Sequence, residues 1–192
     1  MIDAALGQMA DQLNQHLRRR FQVTEDLAVL SNLHEQNGSL VPHVVNKLVL
    51  FLAGVERDSI AHRVGQPMGL NPGLRTAEPV FLNLLVMCAA NFSGSNYPEA
   101  LKFLSSAISF FQGKPVLDHQ NTPELDARLD RLVLNIENLS SGEMHSLWGI
   151  HSGRYLPSVL YRVRMVSLDS QQIEQRETPI RQIDPVNLRG LS

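Results

Sequence analysis

The chain has 192 residues, with 17 Lys and Arg against 19 Asp and Glu, and its formal net charge of −2 excludes the broad basic surface of a nucleic-acid-binding protein. Its one cysteine, Cys88, lies in an apolar run and excludes an intramolecular disulfide, and no apolar run approaches the roughly 20 residues of a membrane helix. We therefore expect a buried thiol, no nucleic-acid partner, no membrane span and synthesis in the cytoplasm.

The first predicted element is an amphipathic helix that runs from residue 2 to three arginines at positions 18–20. Its apolar residues recur every three or four positions with polar residues between them, which is the period of a helix with one buried face. They are Ile2, Leu6, Met9, Leu13 and Leu17. The arginines are expected to end the helix, where their charge suits the negative end of its dipole.

A β-hairpin is predicted next, with strands at 27–34 and 44–55 joined by a turn at Asn37-Gly38, two residues that accept positive φ. The second strand is apolar on both alternating faces. We expect both faces to be covered, one of them by a partner subunit. The charged residues Glu56, Arg57 and Asp58 are expected to end this strand in solvent.

A long loop is predicted from residue 62 to residue 78, because Gly65, Gly69 and Gly73 are interspersed with prolines and show no periodicity. No Lys-Ser or Lys-Thr follows these glycines, which argues against a phosphate-binding loop. The loop is interpreted as a binding loop or an oligomer contact.

The following elements alternate between strand and helix. Residues 80–91 are apolar on both faces and predict a strand, although a short buried helix fits the same pattern. A helix capped by Asn96 and stopped by Gly113 follows, with a buried stripe of Leu101, Leu104, Ile108 and Phe111. A polar stretch leads to a half-exposed strand at 129–136.

Ser140 and Glu143 are predicted to form a capping box that starts a short helix. This helix carries Trp148, which is expected to be a core anchor.

The last predicted strand begins after Pro157 and has an apolar face of Val159, Tyr161, Val163 and Met165. Its other face carries Arg162 and Arg164. These cations belong either to a solvated sheet face or to a contact with another protein. Residues 1–169 are thus expected to form one α+β domain, with a single mixed, mainly antiparallel β-sheet flanked by about three helices.

Residues 170–192 are predicted to be a polar arm that has no core of its own. Its apolar residues, Ile180 and Ile183 among them, are candidates for docking on a neighbouring subunit.

The sequence contains none of the nucleotide-binding, metal-ligand or nucleophile motifs that mark an active site. The seven histidines are scattered, and the acidic residues are isolated. We predict no catalytic residues, no metal site and no cofactor, and therefore a protein that assembles rather than an enzyme.

Six short segments, taken in order, resemble the Pvc-type tail-terminator, or cap, proteins of extracellular contractile injection systems, which are phage-tail-like particles such as the antifeeding prophage. The segments lie at 1–6, 48–57, 79–86, 96–101, 147–148 and 155–164. The resemblance runs from Met1 to about Asp169 and does not cover the polar arm.

This resemblance implies a tail-terminator-like fold and a homo-oligomeric ring, expected to be hexameric, seated on the end of the inner tube. Such a ring contacts the last ring of the sheath protein, ends polymerisation and couples sheath to tube. Two alternatives stay open: an adaptor or baseplate-proximal component of the same particle, and a small α+β enzyme or ligand-binding domain.

Overall fold

The structure, a computed structural model, describes residues 1–35, 37–58, 74–76, 81–150, 154–167 and 173–176. The three α-helices within these ranges are α1 (Ile2–Phe21), α2 (Tyr97–Gly113) and α3 (Ser141–Ile150). The strands are β1 (Ala28–Leu30), β2 (Lys47–Arg57), β3 (Leu74–Thr76), β4 (Phe81–Asn91), β5 (Val116–Asp118), β6 (Leu129–Ile136), β7 (Ser158–Ser167) and β8 (Ile173–Arg176). Short 3-10 helices lie at Pro42–Val44 and Gly94–Asn96.

Six of the strands form one sheet in the order β1-β2-β4-β7-β6-β5. All neighbours in this sheet are antiparallel except β1 and β2, which are parallel. A separate antiparallel pair joins β3 to β8. The predicted α+β fold with a mixed, mainly antiparallel sheet and three helices is therefore confirmed.

The sheet is buried on both faces, by different helices. Helices α1 and α2 pack on what we call the helix face, where Leu48, Leu84 and Tyr161 contribute to the larger core. On the opposite α3 face, Trp148 packs with Val49, Phe51, Met87 and Leu160. The predicted apolar stripe of α1 is confirmed, because Leu6, Met9, Leu13 and Leu17 are buried and Ile2 packs partly buried against them. Trp148 is a core residue, as expected.

The predicted hairpin is wrong, although its turn forms. Gly38 has φ +81° and the amide of Glu35 donates to the carbonyl of Ser39 at 2.8 Å, but the antiparallel pairing stops at a single bridge between His34 and Leu40. The first strand instead covers only Ala28–Leu30 and lies parallel to β2. The segment between the two strands is long enough to carry the chain back to the starting end of the sheet, which a parallel connection requires.

The first half of β2 needs no partner subunit, since the chain itself covers both faces there. Leu48 and Leu50 are buried on the helix face and Val49 and Phe51 on the α3 face. Asp58, expected in solvent, is 4% exposed.

Several boundaries also differ from the prediction. Within the predicted loop, 74–76 forms β3, which pairs with β8 beyond residue 169, while β7 is the last strand of the six-stranded sheet in chain order. Asn96 lies at the N-terminal end of α2 but makes no side-chain cap hydrogen bond. Leu101 is exposed rather than part of the buried stripe.

The predicted capping box at the start of α3 is confirmed. The backbone amide of Glu143 donates to Ser140 Oγ at 3.3 Å, and the backbone amide of Ser140 donates to Glu143 Oε2 at 2.8 Å.

Candidate assembly surfaces

Arg162 and Arg164 lie on the α3 face of β7, beyond the area that α3 covers, and both are paired with acids of the same chain. Arg162 Nε donates to Glu137 Oε2 at 2.7 Å, and its Nη1 pairs with Glu56. Arg164 pairs with the buried carboxylate of Asp58. Both arginines are half-buried, so they are neither freely solvated nor available as unpaired charges.

The hydrogen bond from Arg162 is also the main reason that the pKa of Glu137 lies below its usual range. Since Glu56 belongs to β2 and Glu137 follows β6, Arg162 links the two flanks of the sheet from its position on β7. Leu85 and Gly54 lie level with Arg162 on β4 and β2, and a Cβ added at Gly54 would lie 3.4 Å from the side chain of Leu85.

The other predicted contact residues, Gly65, Gly69, Gly73, Ile180 and Ile183, lie outside the described residues. Arg162 and Arg164 are the two candidate contact residues that the structure describes, and they lie on the same face of β7.

The two edges of the six-stranded sheet are a feature that the sequence did not suggest. Each ends in a three-residue strand, and the outer side of each short strand is occupied by an asparagine side chain. Asn14, from α1, accepts from the amide of Ala28 and donates to its carbonyl, both at 2.8 Å. Asn121 Nδ2 donates to the carbonyl of Val116 in β5 at 3.0 Å. An amide side chain that bonds a strand edge in this way blocks the addition of a further strand.

The neighbouring long strands extend beyond these short ones. β1 covers β2 only at Leu48–Leu50, and β5 covers β6 only at Arg131–Val133. No described strand lies beside β2 after Leu50, or beside β6 after Val133. Exposed apolar side chains mark both open stretches: Leu52 is 37% and Val55 46% exposed on β2, and Ile136 is 37% exposed on β6. An exposed strand edge with apolar side chains is a template for a further strand, although on β6 the amide of Leu134 already donates to the carbonyl of Pro115 at 2.7 Å.

No constellation among the described residues supports catalysis. Burial raises the pKa of the Cys88 thiol to about 12, so it is not a nucleophile. His16 Nε2 lies 3.1 Å from Ser106 Oγ, but Ser106 is buried between α1 and α2, and burial lowers the pKa of His16. In this part of the chain no group of three or more His, Cys, Asp or Glu side chains could hold a metal ion, and no helix is long and apolar enough to cross a membrane.

Comparison with protein families gives a match that covers most of the chain. The model of the Pvc16 N-terminal domain matches residues 6–182. The chain belongs to this family. The resemblance to Pvc-type terminators stated from short sequence segments is thereby confirmed.

Solved structures share the fold of this Pvc16 N-terminal domain. The anti-feeding prophage cap, described as the AFP tube terminating cap, matches with a TM-score of 0.55 and 16% identity over 91% of this chain and 58% of that chain. The PVC sheath/tube terminator of an extracellular contractile injection system, in its extended state, matches with a TM-score of 0.58 and 16% identity over 100% of this chain and 65% of that chain. This Pvc16 N-terminal domain thus spans about 60% of the length of either solved chain. No curated protein sequence matches it.

Proposed function

We propose that this protein is a structural tail terminator of a contractile, phage-tail-like injection particle. It sits on the end of the inner tube, contacts the last ring of the sheath, ends polymerisation and couples sheath to tube. The observation that carries the proposal is the family match over residues 6–182, and the fold shared with a tube-terminating cap and a sheath/tube terminator supports it. The protein has no catalytic role in this proposal.

The terminator acts as a closed ring of identical subunits, which we propose to be hexameric. A ring needs one surface of each subunit to bind a different surface of the next, and it needs these contacts to close. Residues 1–169 form the ring domain. In the arm at 170–192, β8 pairs with β3 of the same chain, and the part with Ile180 and Ile183 docks on a neighbouring subunit. Arg164, whose side chain is half-buried and pairs with Asp58, adds a polar contact to tube or sheath through its exposed part.

Particles made without the protein test this function. The expected result is that inner tubes lose their uniform length, or that sheaths detach from tubes, and that supplying the protein restores normal particles. Tubes of normal, uniform length in its absence would contradict the terminator role. Electron micrographs with a label on the protein separate it from the adaptor alternative, since a terminator is found at the end opposite the spike.

The contribution of Arg164 is tested by Arg164→Gln, with Arg131→Gln as the matched control. Arg131 is an exposed arginine of the same sheet that pairs only with the adjacent Asp130. Arg164→Gln removes the Arg164 partner of the buried Asp58 and therefore lowers the unfolding free energy, so fewer finished particles support a contact when they are counted at a temperature where the variant is fully folded by circular dichroism. Equal particle numbers for both variants would remove Arg164 from the interface.

A further inference from the structure

The connection between β1 and β2 contains the one Asn-Gly pair of the chain, Asn37-Gly38. Asparagine is among the chemically unstable residues of proteins, because the backbone nitrogen of the next residue can attack its side-chain amide. Glycine at that next position has no side chain to hinder the attack. Both residues are exposed, so water and hydroxide reach them. Asn37 is therefore the asparagine of this chain that is most prone to the reaction.

The closed turn holds both reacting groups in hydrogen bonds. The amide of Gly38, which is the nucleophile once it has lost its proton, donates to the carbonyl of Glu35 at 2.9 Å. Asn37 Oδ1 accepts from the amide of Ser39 at 2.9 Å and from its hydroxyl at 2.6 Å. The Gly38 nitrogen and the Asn37 side chain must leave these partners before they can react with each other.

The base of the turn is held more firmly than its tip. The amide of Glu35 donates to the carbonyl of Ser39 at 2.8 Å, and beyond this bond Leu33 and Val41 are buried in the core of the α3 face. The tip is exposed and has no apolar side chain in the core. Such a segment opens locally without unfolding the domain.

We propose that Asn37 is a deamidation site and that the opening of this turn sets the rate of its conversion. In the open turn, the deprotonated nitrogen of Gly38 attacks Cγ of Asn37, and the bond from Cγ to Nδ2 breaks. Ammonia leaves, and the proton that the nitrogen lost is returned to it through water. The product of this step is a succinimide ring.

Water then opens the ring at one of its two carbonyl carbons. Aspartate results when the new bond from Cγ to the Gly38 nitrogen breaks, and isoaspartate results when the original peptide bond breaks. Water is the only co-reactant, so the site needs no enzyme, metal or cofactor, and it does not depend on the terminator function.

The two products affect the turn differently. Aspartate adds a negative charge at the tip and keeps an oxygen that accepts from Ser39. Isoaspartate routes the backbone through the former side chain and adds one carbon before Gly38, so the bond between Glu35 and Ser39 no longer fits the length of the turn. The conversion is irreversible, and it alters the segment that supplies Leu33 and Val41 to the α3 face.

Peptide mapping by mass spectrometry tests the site. The native chain, the same chain unfolded in guanidinium, and the folded variants Ser39→Ala and Ser39→Thr are incubated at pH 8 and sampled over days. Conversion is measured from the mass difference between asparagine and aspartate, and isoaspartate is separated by its different elution. Asn138 is the matched control in each sample, because it is exposed and the side chain of Leu139 hinders attack.

The expected rate of conversion at Asn37 is highest in the unfolded chain and lowest in the native chain. Ser39→Ala lacks the hydroxyl that holds Oδ1, so it should convert severalfold faster than the native chain, whereas Ser39→Thr keeps a hydroxyl and should convert at the native rate. Asn138 should stay unconverted over the same time.

Three results would overturn the proposal. Equal rates in the native and unfolded chains would show that the turn does not control the reaction. A rate for Ser39→Ala no higher than the native rate would remove the role of the Ser39 hydrogen bond. Conversion of Asn37 no faster than that of Asn138 in the native chain would show that Asn37 is not a deamidation site of the folded protein.

Discussion

Replacing Asn14 tests how the edge of the sheet is stabilised at β1. The Asn14 side chain is 5% exposed and makes two hydrogen bonds to the backbone of Ala28, which is 2% exposed. Asn14→Ala leaves a buried amide and a buried carbonyl without partners, at about 1–3 kcal/mol each, so we expect a loss of about 2–6 kcal/mol in unfolding free energy. This is a large part of the roughly 5–15 kcal/mol that holds a typical domain together.

Asn121→Ala is the matched control at the opposite edge. Asn121 donates to the carbonyl of Val116 in β5 and is exposed, but its Oδ1 also accepts from the hydroxyl of the buried Thr122 at 2.8 Å, so the expected loss is about 1–2 kcal/mol. Asn14→Leu fills the volume without restoring the hydrogen bonds and should lose nearly as much as Asn14→Ala. Urea unfolding with an unchanged m-value gives the differences. The reasoning is refuted if Asn14→Ala costs no more than Asn121→Ala, or if Asn14→Leu is as stable as the native protein.

Three further predictions concern the core, the charge network and the thiol. Trp148→Ala should cost about 3–5 kcal/mol in urea unfolding because the ring is buried under α3, and a loss below about 1 kcal/mol would place the ring outside the core. The hydrogen bond from Arg162 lowers the pKa of Glu137, so this pair stabilises the protein above the ordinary glutamate pKa of 4.5, and the stabilisation is lost as the pH falls through the lower, folded-state pKa. The difference in unfolding free energy between the native protein and Glu137→Gln should therefore shrink from pH 7 to pH 3, and a constant difference would contradict it. Cys88 should react with a thiol reagent at pH 8 only after unfolding, and rapid reaction of the native protein would show that it is accessible.

Local patterns in the sequence predicted the elements whose formation depends on local chemistry. The three- and four-residue spacing of apolar residues in α1 and the capping box at Ser140 are both present in the structure. The predicted alternation of β7 is also confirmed, since Val163 and Met165 are buried whereas Arg162 and Arg164 are not. Each of these patterns lies within one helix or strand, so it predicts that element without any knowledge of the elements that pack against it.

Strand pairing could not be predicted in the same way. The Asn37-Gly38 turn forms as its residues require, but a turn fixes only the residues beside it, and β1 pairs in parallel with β2 from the far side of a long connection. The outer side of β1 is taken by Asn14, a residue of another element. The sequence of β1 does not indicate that a side chain from another element will bond its outer edge.

The candidate contact surfaces were only partly predictable, for the same reason. The alternation in β7 identified Arg162 and Arg164, but their acidic partners belong to other segments and come close only through the sheet register. The open stretches of β2 and β6 depend on how short β1 and β5 are. Polar residues directly beside the buried stripe of α1, namely Gln8, Gln12 and Asn14, are the local hint that this helix does more than pack, but they do not show that Asn14 closes a strand edge.

The central position of β7 has a consequence for how the chain folds during synthesis. β7 lies between β4 and β6 and pairs with both along most of its length, although it is the last long strand to be made. Until it leaves the ribosome, β4 and β6 have no common partner, and their contacts with β7 are distant in sequence, which slows folding. A nascent chain that stops before Ser158 therefore carries two apolar strands with nothing between them, and its release at that point favours aggregation.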